Sequence, residues 1–345
     1  MKNSETGEGL QGRWKSAAAE ARYRELDAAA WARATGPSPE ALDVSTDFGP
    51  TRVHRWPGDG PAVVLLHGMT DTSLRWMPFA RRLDDYDVYA VDTMGDVGAS
   101  VHEVAFAGVD DFPRWLGQAI DGLGLAAPHL VGQSMGGWIA LAFVAGSDGT
   151  AGVAGATGAA GSGGTTGVAG ATGVAGSGEP TGSGAGGADG EATGRGDVAS
   201  LTLFDPVGVV RLRMGRFLRW GLATAVGSYA PAFLRPRLGR RLNAPLLDDK
   251  AEMRLALHAA RHHPVWVPPL PVFSDEALAS IDAPVRALLG ARTSFFDTEL
   301  LVERLTTHVP DVEVRILADG GHQFTLTHFE ESLSLLRSTL AGAHR

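Results

Sequence analysis

The chain contains no cysteine, so neither a disulfide framework nor a thiolate metal site is open to it. That composition fits a reducing compartment, and residues 1–10 carry no apolar core of signal-peptide type, so the expected location is the cytoplasm. Long apolar runs are missing too. No stretch reaches the roughly 18 unbroken apolar residues that a membrane span needs, so no integral membrane segment is expected. Basic residues are outnumbered, 30 Lys and Arg against 39 Asp and Glu. The resulting net charge of −9 argues against a nucleic-acid partner, because phosphate binding needs a basic footprint. What remains is a chain of 345 residues, 44% of them hydrophobic, enough for one large α/β core with an excursion from it.

Residues 149–196 have almost no apolar surface. Glycine recurs at every third place from Gly149 to Gly176, and Gly152-Val153-Ala154-Gly155-Ala156-Thr157-Gly158 returns as Gly167-Val168-Ala169-Gly170-Ala171-Thr172-Gly173. A triple helix uses that period, but these triplets lack the proline whose fixed backbone angle favours it. A disordered low-complexity insertion is expected, since little burial is available to offset its ordering entropy.

Against this background one motif stands out. The apolar run Pro128-His129-Leu130-Val131 leads into Gly132-Gln133-Ser134-Met135-Gly136-Gly137, and the helical stretch Trp138-Ile139-Ala140-Leu141-Ala142-Phe143 follows. Strand, glycine-framed serine and helix make a nucleophile elbow, a turn so tight that the flanking positions must lack side chains and the hydroxyl is left exposed. Upstream, the strand Ala62-Val63-Val64-Leu65-Leu66 runs into His67-Gly68-Met69-Thr70. The backbone N–H groups of Met69 and Met135 are candidates for an oxyanion hole. His67 is expected to be a structural hydrogen-bonder rather than a base. Downstream, the alternating strand Val312-Glu313-Val314-Arg315-Ile316-Leu317 ends in Ala318-Asp319-Gly320-Gly321-His322, which places a histidine on a loop able to reach the serine.

These residues resemble an α/β-hydrolase, whose triad runs serine, acid, histidine along the chain. The segment from Tyr89 to Ser100 is similar to the strand and loop that precede the elbow in carboxylesterase-like members, and Phe273-Ser274-Asp275-Glu276-Ala277-Leu278 to the return from a cap into the core. The resemblance implies a mostly parallel central sheet flanked by helices. It divides the chain into an N-terminal helical extension (1–40), a first part of the core (41–148), the insertion (149–197), a core strand (198–206), a helical cap (207–280) and a C-terminal part of the core (281–345). Residues 12–34 read as a helix packed outside the core, and 44–56 as a hairpin.

The acid departs from the family. Most relatives carry it about three residues after the glycine that ends Ala287-Leu288-Leu289-Gly290, where this chain has Thr293. Two replacements stand open. Asp205 ends the strand after the elbow helix, where some members, such as haloalkane dehalogenases, carry the acid; Asp297 precedes a helical run and could equally be its N-cap.

In the cap, Phe217, Leu218, Trp220, Phe233, Leu234, Trp266 and Phe273 are candidates to cover the serine and line a pocket. Eight arginines gather between Arg211 and Arg241, as an anionic substrate, a membrane surface or a solvated helix face would each explain. His258 and His262 share helical spacing but lack the glutamate of a zinc-protease motif, so no metal is expected. The leading expectation is a serine hydrolase acting on a small-molecule carboxylic ester, with no cofactor, in which Ser134 attacks, His322 shuttles the proton and Asp205 or Asp297 orients it. Carbon–carbon bond hydrolysis on the same fold, and a non-catalytic binding protein that lost its acid, are the alternatives. The oligomeric state is unknown.

Overall fold

The structure, a computed structural model, describes residues 12–33, 36–146, 197–264, 270–293 and 295–342. The glycine-rich insertion, apart from Asp197, and Trp266 of the cap lie outside the described residues.

Eight strands form one sheet: β1 (Glu40–Thr46), β2 (Gly49–Trp56), β3 (Ala62–Leu66), β4 (Asp87–Val91), β5 (His129–Gln133), β6 (Ser200–Phe204), β7 (Val285–Gly290) and β8 (Val312–Leu317). Their spatial order is β1-β2-β4-β3-β5-β6-β7-β8. β1 and β2 form the expected antiparallel hairpin and β2 pairs antiparallel with β4, while every pairing from β4 to β8 is parallel. The helices are α1 (Ala17–Arg33), α2 (Met77–Ala80), α3 (Asp111–Gly122), α4 (Met135–Ala145), α5 (Met214–Gly227), α6 (Arg235–Leu242), α7 (Lys250–His262), α8 (Asp275–Ala279), α9 (Thr298–His308), α10 (Phe324–Thr327) and α11 (Phe329–Gly342).

The middle strands, β3 to β7, are buried on both sides because helices cover both faces of the sheet there, whereas β1 and β8 at the edges alternate with exposed residues. Side chains alternate: Val64 and Leu66 of β3 join a core with Trp115, Ile139 and Leu141, whereas Val63 and Leu65 join Trp76, Phe79 and Leu336 on the other face. Every residue of α4 is buried, which explains why its sequence is apolar all round.

Register brings the chemistry together. Gln133 is paired with Phe204, so the residues that follow, Ser134 and Asp205, leave adjacent strands side by side at the carboxyl edge of the sheet. Phe204 is in turn paired with Leu288 of β7, whose last residue is Gly290. The order of the strands reverses around β3, which has β4 on one side and β5 on the other, and clefts open at such switch points. α4 ends and β6 begins at the opposite edge of the sheet from Ser134.

Between β6 and β7 the chain leaves the sheet for α5, α6 and α7, then re-enters through Phe273 and α8. Arg304 of α9 fastens this re-entry, donating to the carbonyls of Val209 and Phe273 and to the Asp275 carboxylate. Outside the two cores that flank the sheet, α1 packs against α7 and clamps the cap. Its Tyr23 is buried with Val97, Leu255 and Ala259, and its ring lies tilted against that of Trp14, the centroids 4.8 Å apart. His258 of α7 adds a second tie, its Nε2 hydrogen-bonded to the Ala19 carbonyl at 2.8 Å. Among the described residues no helix is long and apolar enough to cross a membrane.

Tyr23→Ala empties the joint between α1, the loop after β4 and α7. We expect it to lower the unfolding free energy by about 3 kcal/mol. Urea unfolding followed by tryptophan fluorescence measures this, and an unchanged midpoint would show that α1 is not a clamp.

Candidate active site

Ser134 occupies a backbone conformation that few side-chain-bearing residues adopt, with φ 53° and ψ −112°. Three hydrogen bonds hold it there. Its N–H donates to the Phe204 carbonyl at 3.0 Å, and its own carbonyl accepts from Trp138 N–H at 3.1 Å and Val207 N–H at 3.3 Å. The flanking glycines are required by contact distance: a Cβ on Gly132 would lie 2.5 Å from the Gly136 carbonyl oxygen, and one on Gly136 would lie 2.2 Å from that of Leu66. The strained turn is thereby over-determined by its surroundings.

The Ser134 Oγ lies 2.9 Å from His322 Nε2, and His322 Nδ1 lies 3.0 Å from Asp205 Oδ2. With Nδ1–H donating to the carboxylate, Nε2 is left free to accept the serine proton. Asp205 is fully buried and has φ 46°. A buried carboxylate needs partners, and this one has three: Gly290 N–H donates to Oδ1 at 2.9 Å, while Thr293 Oγ1–H at 2.5 Å and His322 both donate to Oδ2. Thr293, the residue at the place where most relatives carry the acid, thus holds the acid that comes from the neighbouring strand. Sequence reasoning noted the missing carboxylate there but not the donor that stands in its place.

Of the two candidate acids, the structure brings only Asp205 to His322. Asp297 caps α9, accepting from Leu300 N–H at 3.3 Å, and pairs with Arg213 at 2.7 Å. The turn before α9 instead supplies Phe295 and Phe296, both buried, whose rings stand edge-on to His322 at 4.8 and 6.0 Å. They fix the plane of the imidazole, and Phe295 also meets Phe217 and Trp220 of the cap at 5.2 and 5.1 Å.

Met135 opens α4, so its N–H has no partner within the helix, and the Met69 N–H makes no hydrogen bond among the described residues. Both residues line a cavity of about 580 Å³ together with Ser134 and His322. Its remaining walls are mainly apolar, including Val210, Leu212, Phe217 and Leu270. Other candidates from the cap lie elsewhere. Phe273 is buried against Trp138, and Leu218 and Phe233 are 61% and 69% exposed, turned outward rather than toward the serine.

His67 is a structural pin: its Nδ1 donates to the Gly68 carbonyl at 2.8 Å and its Nε2 accepts from Thr93 N–H at 3.0 Å. The residue that sets the Met69 loop is Asp96, which sequence reasoning passed over within a longer segment. Its carboxylate receives the Thr70 N–H at 2.9 and 3.1 Å and the Val97 N–H at 2.7 Å, holding Thr70 at φ 63°. Burial pushes the Asp96 carboxyl up to about 6, against the opposing pull of His67 and those two N–H groups.

Comparison with known proteins places this geometry among others. A family model described as "alpha/beta hydrolase fold" matches residues 61–158. Carboxylesterase YbfK of Bacillus subtilis (strain 168) is 26% identical over 305 residues, covering 88% of each chain. An uncharacterized carboxylesterase, nap, of the same organism is 23% identical over 288 residues, covering 82% of this chain and 80% of that one. Among solved structures, carboxylesterase CesB (YbfK) from B. subtilis superposes with a TM-score of 0.66 at 22% identity, covering 94% of this chain and 99% of that one. Naproxen esterase (carboxylesterase NP) from the same species gives 0.67 at 21%, covering 93% and 97%. These structural likenesses are likenesses of fold.

Asp96 generates a pH prediction. Its folded value lies above the ordinary 3.8, so between the two the folded state binds the proton more tightly and this carboxyl's contribution to stability falls as pH rises through that window. Asp96→Asn does not titrate. The stability of the variant relative to wild type is therefore expected to climb from about pH 4 to about pH 6 and then level off, by on the order of 2–3 kcal/mol. Thermal melts across that range check this, and a difference independent of pH would refute the assignment.

Proposed function

Since this chain is an α/β-hydrolase-fold protein of carboxylesterase-like type, a hydrolase acting on esters, we propose that it cleaves a small or medium acyl ester through a covalent acyl-serine intermediate. The observation that carries this reading is the continuous contact from Ser134 through His322 to Asp205, beside two unpartnered amides. Ser134 Oγ attacks the ester carbonyl as His322 Nε2 takes its proton, and Asp205 stabilises the imidazolium that forms. The Met69 and Met135 N–H groups donate to the oxygen that becomes negative. His322 then returns the proton to the departing alcohol, and a water molecule, activated by the same imidazole, releases the acid.

The cavity's apolar walls fit an acyl chain. The binding-protein alternative drew its motive from the missing carboxylate at Thr293, and the contact between Asp205 and His322 supports catalysis over it. A cysteine-free chain fits work in the reducing cytoplasm.

Hydrolysis of p-nitrophenyl acetate and butyrate tests the proposal. Wild type is expected to turn over both and to be labelled at Ser134 by a fluorophosphonate probe, and Ser134→Ala to lose both properties. Asp205→Asn is expected to lower kcat by on the order of 10⁴. Asp297→Asn is expected to keep turnover within a few-fold, since asparagine can still cap α9 and the change removes only an exposed ion pair with Arg213, worth about 1 kcal/mol or less. A folded wild type that neither cleaves esters nor reacts with the probe would overturn the reading.

A further inference from the structure

A second pocket, of about 490 Å³, adjoins the first, and its chemistry is different. Arg216 and Arg219 of α5, Arg241 of α6 and Arg292 of the turn after β7 line it, with Trp220 and Phe295 between them. No carboxylate stands in its wall. Elsewhere the protein pairs its arginines with acids: Arg52 with Asp43, Arg55 with Asp87, Arg114 with Asp47 and Arg286 with Asp311. Among the described residues none of the four pocket arginines makes a direct ion pair, although Arg292 also borders a neighbouring pocket with Asp319, whose carboxyl its charge helps to hold down. All four are exposed, so water screens their mutual repulsion, but an anion entering this space meets four guanidinium groups at once. Between Pro206 and Leu247 the sequence contains arginines and no Asp or Glu at all, although the whole chain is acidic.

The position of the pocket says which part of a substrate it receives. His322 and Phe295 line both pockets, whereas Ser134, Met69 and Met135 line only the apolar one. The carbonyl under attack, with its acyl chain, belongs on the side of the serine and the two amides. The leaving oxygen must lie where His322 can return a proton to it. Resting on the ester-hydrolase reading proposed above, we infer that the arginine pocket binds the alcohol portion of the substrate and that this alcohol carries an anionic group, a carboxylate or a phosphate. Planar guanidinium forks recognise both through paired N–H donors. The reaction is R–CO–O–R′–X⁻ plus water giving R–COOH, which ionises at neutral pH, and HO–R′–X⁻. The acyl group is uncharged and fills the apolar cavity.

The test compares 4-carboxyphenyl butyrate with its neutral isostere 4-carbamoylphenyl butyrate, and monophenyl succinate with phenyl butyrate. Wild type is expected to favour the carboxylate over the amide by about tenfold or more in kcat/KM, mainly through KM, with the preference shrinking as salt is raised. An anion on the acyl side should bring a smaller gain, since Arg211 is the one arginine lining that cavity. Arg216→Gln, Arg219→Gln and Arg241→Gln should each reduce the preference and together abolish it, the loss in kcat/KM falling on the carboxylate ester far more than on the neutral one. Arg237→Gln, on the same cap but outside the pocket, should leave the preference intact.

Calorimetry on Ser134→Ala reads the pocket without turnover: 4-hydroxybenzoate and 4-hydroxyphenyl phosphate should bind at least about tenfold more tightly than 4-hydroxybenzamide, the tighter anion identifying the natural group. Equal turnover of the two butyrates together with equal binding of the three phenols would overturn the anion pocket while leaving ester hydrolysis standing. Anion binding in Ser134→Ala beside a wild type inert to every ester would support the pocket and overturn the hydrolase reading.

Discussion

Asp205 is a charge buried without access to water, and the arrangement around Ser134 depends on how that charge is held. A carboxylate in such a place is tolerated only with donors on its lone pairs. Here the donors come from three parts of the chain: the end of β7 through Gly290, the following turn through Thr293, and the loop after β8 through His322. One side chain therefore draws the carboxyl ends of three neighbouring strands to one point and sets the tilt of the imidazole. With Asp205 on β6, the place after β7 is freed for a hydroxyl donor, and the turn that follows contributes the aromatic wall of Phe295 and Phe296 instead of an acid.

The same aromatic wall couples the site to the cap. Phe295 touches His322 on one side and Phe217 and Trp220 of α5 on the other, so the ring that steadies the imidazole also divides two spaces of opposite character. A mainly apolar cavity lies on the serine side and one lined by arginines on the far side of the histidine. The cap itself is not free to drift. α1 packs into it beside the loop after β4, the loop that carries Asp96, and Arg304 fastens its returning segment to the core. Stability of the cap, geometry of the Met69 loop and division of the binding space are thus linked through shared contacts.

Much of this was legible in the sequence because it is local. The elbow is written within a few residues, since the steric demand for glycine around Ser134 acts over one turn. Alternation and apolar runs marked the hairpin and the parallel strands, and the histidine after β8 needed only its loop. The outward direction of Leu218 and Phe233 was not legible, because an apolar side chain on a cap helix reads the same whether it faces a pocket or solvent. Nor was the role of Asp96, whose partners lie on a different loop.

By itself, then, the sequence determined the serine, the histidine and the order of elements that presents them, since each follows from backbone sterics and periodicity over short stretches. Only the tertiary structure set Asp205 rather than Asp297 beside His322 and gathered arginines from two helices and a turn around one pocket. Both outcomes hang on the register of β5, β6 and β7 and on the docking of the cap. Those are contacts between segments far apart in the chain, for which adjacent residues carry no local signal.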